Sequence, residues 1–119
     1  MELIGHNVDY IAKLMSVSTK RHEVLAQNLA NVNTPNYLAK RVDFEKAFRK
    51  ALDRGVDDAL DVEATVVDDD KARVKADGNS VHLEQEMGRL QKNQLMFEVY
   101  SSLLRQNLGH VKLAISSGR

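Results

Sequence analysis

Cysteine and tryptophan are both missing from this chain, and proline occurs once. Without cysteine there is no disulfide, no thiolate nucleophile and no soft metal ligand, and the redox compartment is left open. Aromatic residues make up 5% of 119 and mean hydropathy is −0.40. A compact all-β or α/β core is therefore a poor expectation, at a length that already limits any private core. Basic and acidic residues balance at 17 each, so no basic field exists to hold nucleic acid. No apolar run reaches the length of a bilayer span, and the first residues lack the pattern of a cleaved signal peptide. Glycine-rich phosphate loops, nucleophile elbows and nucleotide fingerprints are absent. His6, His22, His82 and His110 show no metal-ligand spacing. No enzyme, cofactor or metal site is expected.

What the chain does have is helical periodicity, at both ends. Ile4, Val8, Ile11, Met15, Leu25, Leu29 and Val32 fall on alternating four- and three-residue steps, with Ser18 and His22 at the two intervening positions. Such a seam is the signature of helices packed along their length. Leu3, Tyr10, Leu14, Val17 and Val24 form an adjacent seam, so the apolar face is wider than one partner needs. The pattern predicts one helix of roughly 25–29 residues. Toward the other end, Leu83, Met87, Leu90, Phe97, Leu104, Leu108, Val111 and Ile115 repeat the same steps, interrupted by Gln94 and Ser101. Met96, Val99, Tyr100 and Leu103 widen the apolar arc there. This helix should be about 50 Å long, with Asn79 or Ser80 as its cap.

Between the helices the local chemistry changes. Thr34 precedes proline and is pushed out of the α region. Pro35 suits the second position of a tight turn, and Asn36 the third, where a left-handed residue is often required. Carboxamides at Asn28, Asn31, Asn33 and Asn36 can cap the orphaned carbonyls of the ending helix. Phe44, Phe48 and Leu52 then mark a short amphipathic helix ending near Gly55, with Asp43 as its expected N-cap. The two phenylalanines should anchor it to the long helices.

Charge is segregated along the chain. Residues 1–52 carry about +3, 53–77 about −5 and 78–119 about +2. The acidic stretch holds Asp57, Asp58, Asp61, Glu63, Asp68, Asp69, Asp70 and Asp77. It lacks the ligand spacing and glycine of a calcium loop, so a solvated acidic face is the stronger reading. Within it, 62–67 and 72–75 can pair as a short β-hairpin about Asp68–Asp70, marginal unless a neighbour orders it. The fold expected is mainly α: long N- and C-terminal helices packed as a helical hairpin or coiled-coil layer, with a polar, partly irregular middle. Its segments are 1–52, an acidic 53–79, and 80–119, the last forming one unit with the first.

A two-helix hairpin covers only one stripe of each helix. The rest, including Leu14, Val17, Met96, Val99 and Leu103, is expected to stay exposed. Each such side chain left in water forfeits roughly 1.5–3 kcal/mol, and a few equal the stability of a small domain. Self-association or docking into a helical array follows. The candidate assembly residues are Val8, Ile11, Leu14, Met15, Val17, Leu25 and Leu29 on the first helix. On the last they are Leu83, Met87, Leu90, Met96, Phe97, Val99, Leu103, Leu104, Leu108 and Val111. A soluble helical adaptor or export chaperone would use the same stripes to bind one client.

Asn28-Leu29-Ala30-Asn31-Val32-Asn33-Thr34-Pro35-Asn36-Tyr37 closely resembles the motif near the N-terminus of bacterial flagellar rod and hook proteins. Its matching positions are Asn28, Ala30, Asn31, Thr34, Pro35 and Tyr37, with Asn36 where the family usually has glycine. Lys40-Arg41-Val42-Asp43-Phe44 is similar to the basic residue and Asp-Phe pair that follow it. Gly78 to Met87 resembles the start of the C-terminal helix in the FlgB (proximal rod) family, with His82 where aspartate is usual. FlgC is the neighbouring rod family. The resemblance covers residues 20–48 and 78–108 and leaves the middle unmatched. It implies a structural subunit of the flagellar basal-body proximal rod, self-associating in a helical tube through its terminal helices. The implied partners are other rod subunits, the basal-body ring and the export gate. It also implies a periplasmic location, reached through the flagellar type III apparatus without a cleaved signal.

Overall fold

The computed structural model describes residues 2–117, with the side chains of 2–4 and 111 excepted. Helix α1 runs Glu2–Ala30, within the predicted length, and helix α4 runs Leu83–Ser117, 35 residues. They pack antiparallel as the expected hairpin, with Ser18 facing Asn93 and Asn28 facing Glu86. Between them lie strand β1 (Lys40–Asp43), helix α2 (Glu45–Leu52), helix α3 (Val56–Leu60) and strand β2 (Thr65–Asp68). The molecule measures 67 × 28 × 14 Å with a radius of gyration of 18.0 Å. A compact chain of this length would have about 13–14 Å, so the long helices set the shape.

The turn chemistry works as the residues require. Tyr37 N–H donates to Thr34 O at 3.3 Å across Pro35-Asn36, and Asn36 takes φ 63°, the one positive value among described non-glycine residues. The next two elements differ from expectation. Residues 65–68 are extended, but their partner is β1 rather than 72–75, with Lys40 opposite Asp68 and Asp43 opposite Thr65. Asp43 is thereby the last residue of β1 and does not cap α2, whose N-cap position is Phe44 without a side-chain bond.

The small core lies between α1 and the β1–α2 segment. Val17, Val24, Val42 and Phe44 are buried together, with Leu14, Phe48, Val62 and Ala64 packed around them. Phe44 stacks on Phe48 at 5.0 Å, and Tyr10 meets Phe48 edge-on at 5.8 Å, the anchoring role expected of these rings. This corrects the expectation that Leu14 and Val17 stay exposed. Val17 is 4% accessible, because β1 and α2 fold back over the second seam of α1.

Candidate assembly surface

The surface that α4 presents is decided by what it buries, and what it buries is polar. Asn28, fully buried, places its amide against the outer edge of β1. Its Nδ2 donates to Lys40 O at 2.8 Å and its Oδ1 accepts from Lys40 N at 2.9 Å, as a neighbouring strand would do. The same Nδ2 reaches Glu86 Oε2 at 3.1 Å, and Tyr37 Oη donates to Asn28 Oδ1 at 3.5 Å. One helical stretch earlier, Arg21 donates to Val42 O and forks onto Glu45 at 2.8 and 3.0 Å. Helix α1 therefore supplies side chains where a third strand would supply backbone.

Asn79 ties the other side of the motif. Its Nδ2 donates to Asn31 O and Thr34 O, both at 2.8 Å, closing the carbonyl end of α1. Asn31 Nδ2 contributes a bond to Gln27 O, so one cap is local and the other comes from 48 residues away. Ser80 Oγ accepts from Ala39 N at 2.7 Å. The sequence suggested Asn79 or Ser80 as the cap of α4, but neither caps it: Asn79 closes the end of α1 and Ser80 holds the loop 37–39. Gly78 makes this possible with φ 82°, and a Cβ there would lie 3.2 Å from Asn36 Cα.

Further along the hairpin, Ser18 Oγ donates to Asn93 Oδ1 at 3.1 Å and Asn93 Nδ2 returns to Ser18 O at 2.8 Å. Glu86, 1% accessible, is held by Asn28 and by Arg89 Nη1 at 3.0 Å. The α4 stripe facing α1 thus runs Glu86, Leu90, Asn93, Phe97, Tyr100, Leu104 and Asn107, all buried or half-buried. It shares Leu90, Phe97 and Leu104 with the expected seam but replaces the other row by a polar one. Fully satisfied polar groups cost little when buried, so α4 rotates and turns Leu83, Met87 and Leu108 out to solvent.

The acidic middle answers the basic first segment. Lys40 pairs with Asp68 across the sheet, and Arg41 bonds Asp43 at 3.1 Å and Asp70 at 2.9 Å. Those partners hold the Arg41 guanidinium above its ordinary pKa and the Asp70 carboxyl below its own. At Glu45, burial pushes the carboxyl up, but Arg21 and the backbone amides of Glu45 and Phe44 outweigh it, and the net shift is down. Asp69, turned inward, lies near both Arg41 and Arg89 at 3.5 and 3.6 Å. Part of the stretch read as a solvated acidic face is therefore a cross-strand ion-pair lattice, which no local reading of the run could supply.

Of the candidate assembly residues on α1, Ile11, Val17 and Leu25 are buried within the subunit, and Val8, Leu14, Met15 and Leu29 are half-buried. On α4, Leu90, Phe97 and Leu104 are half-buried. Leu83, Met87, Met96, Val99, Leu103 and Leu108 are exposed, joined by Leu95, Leu113 and Ile115. Val111, and Ile4 and Leu3 on the first seams, fall outside the described side chains. Of the motif residues, Asn28 and Phe44 are buried, Asn31 and Tyr37 half-buried, and Ala30, Thr34, Pro35, Asn36 and Asp43 exposed. Sequence reasoning missed the buried roles of Glu86 and Asn93 and gave Asn79 to the wrong helix end. The one signal for the first two was their position on a second stripe of four- and three-residue steps.

The class this fold defines is an elongated helical hairpin with a satisfied polar seam and exposed apolar side chains along its longer helix. Comparison with known proteins finds relatives that match along most of the chain. The chain is 28% identical to the flagellar basal body rod protein FlgB of Borrelia hermsii, over 97% of this chain and 99% of that one. It is 26% identical to FlgB of Escherichia coli over 87% of this chain and 88% of the relative, and 23% identical to FlgB of Bacillus subtilis over the full length of both. No family model matches the chain. The chain is a homologue of the flagellar basal body rod protein FlgB.

Proposed function

We propose that this chain is a structural subunit of the flagellar basal-body proximal rod, built into the axial tube through α1 and α4. The observation that carries the reading is the outer face of α4. Met96, Val99 and Leu103 are all exposed, while the subunit's own core is already filled by β1 and α2. Burying these three side chains between subunits contributes several kcal/mol, and a repeated head-to-tail contact propagates a tube rather than closing a ring. Residues 1–52 and 80–119 act as one unit, and the segment 53–79 is held to it by the Arg41 ion pairs and the Asn79 clamp. The partners are neighbouring rod subunits, the basal-body ring and the export gate, reached by flagellar type III export. The role is structural, with no chemical step.

Deleting the gene and imaging isolated basal bodies by electron microscopy tests this. The expected result is a non-motile strain whose basal bodies lack a rod. A swimming strain with normal basal bodies would sink the reading.

A further inference from the structure

Helix α4 carries a second exposed surface, distinct from the Met96–Val99–Leu103 face. Because α1 packs on the polar row Glu86, Asn93, Tyr100 and Asn107, two apolar clusters are open to solvent, Leu83 with Met87 near the start of α4 and Leu108 with Ile115 near its end, with Gln94 and Ser101 between them. Beside them runs a row at every seventh residue: Glu84, Gln91, Glu98, Arg105 and Lys112, all exposed. Its charges are sorted along the helix, acidic in the first half and basic in the second. Among the described residues Glu98 and Arg105 meet uncharged neighbours one turn away, Gln94 at 3.4 Å and Ser101 at 3.3 Å. Beside Leu90, a shallow groove of about 390 Å³ lies between His22, Gln91, Gln94, Leu95 and Glu98.

We infer that this face pairs with the same face of a second copy, α4 against α4 and antiparallel. In a coiled-coil contact, residues flanking the apolar seam meet their counterparts across the interface and set partner and direction. Antiparallel alignment places Glu84 against Lys112 of the second copy and Gln91 against its Arg105, each twice by symmetry. It also lays Leu108 and Ile115 of one copy over Leu90, Leu83 and Met87 of the other. Parallel alignment would set acidic half beside acidic half and basic beside basic. The arrangement leaves one like-charge meeting, Glu98 with its own copy on the two-fold axis. Being isologous, the pair closes on itself. It is therefore a form of the subunit outside any tube, and it stands or falls independently of the rod reading.

Sedimentation equilibrium on the full chain, with circular dichroism to confirm helix content, tests the pairing. The wild type should be a two-chain species at concentrations on the order of 100 μM. Lys112→Glu and Glu84→Lys should each weaken association about tenfold, the charge-swapped Glu84→Lys/Lys112→Glu double variant should restore it, and Glu98→Gln should tighten it. A wild type that stays a folded monomer overturns the proposal. So does a double variant associating no better than the singles.

Discussion

At the scale of single residues, the buried carboxamides do what strands and caps do elsewhere. Asn28 satisfies both backbone groups of Lys40 and donates to Glu86. Replacing it by alanine leaves those groups unpaired in a dry site, at a cost on the order of 3 kcal/mol. Asn28→Asp should be worse, since it sets a second carboxylate beside Glu86. Urea denaturation followed by circular dichroism reads both, and an Asn28→Ala midpoint equal to wild type would remove Asn28 from this role. Glycines give a contrast within one protein. Gly78→Ala forces a side chain into a left-handed backbone against Asn36, costing about 1–3 kcal/mol. Gly88, in the interior of α4 with open space around it, should gain about 0.5–1 kcal/mol as alanine. Opposite signs in the same denaturation assay are the expected result; equal signs would contradict the geometry.

At the scale of elements, β1 depends on α1 for its outer edge and on the acidic run for its inner partner. Arg21 joins the two through Val42 O and Glu45. The Glu45 carboxyl is held below its ordinary value of 4.5, so it binds protons less readily folded than unfolded. Its contribution is present above that value and is lost as pH falls through the lower folded one. Stability should therefore drop below about pH 4.5, and Arg21→Ala should flatten that part of the profile, with urea midpoints at successive pH values as the readout. An unchanged acid limb in the variant would contradict the assignment.

The elements also divide by how visible they were in the sequence. Both long helices and the Pro35-Asn36 turn were legible, because periodicity over many turns and turn stereochemistry are local signals. The pairing of 40–43 with 65–68 was not, since strand register between distant segments leaves no mark on either alone. The rotation of α4 was hidden for a different reason. Apolar spacing favours the row of Met87 and Leu108, and only the partners Ser18 and Asn28 show that Asn93 and Glu86 can be buried without loss. The motif flagged Asn28 as a residue of interest without showing what it held.

At the scale of the whole molecule, an extended hairpin with a modest core leaves its longest helix greasy on the outside. That is unfavourable for a solitary particle and suited to a subunit whose neighbours complete it. The distinction from a client-binding adaptor lies in whether that face is needed inside the rod itself. The most direct measurement is the amount of a Val99→Asp/Leu103→Asp variant found in basal bodies purified from a strain lacking the native chain. Both positions are exposed, so the variant should keep its helical content. The account predicts a folded protein absent from basal bodies and cells that do not swim; normal incorporation with wild-type motility would contradict it.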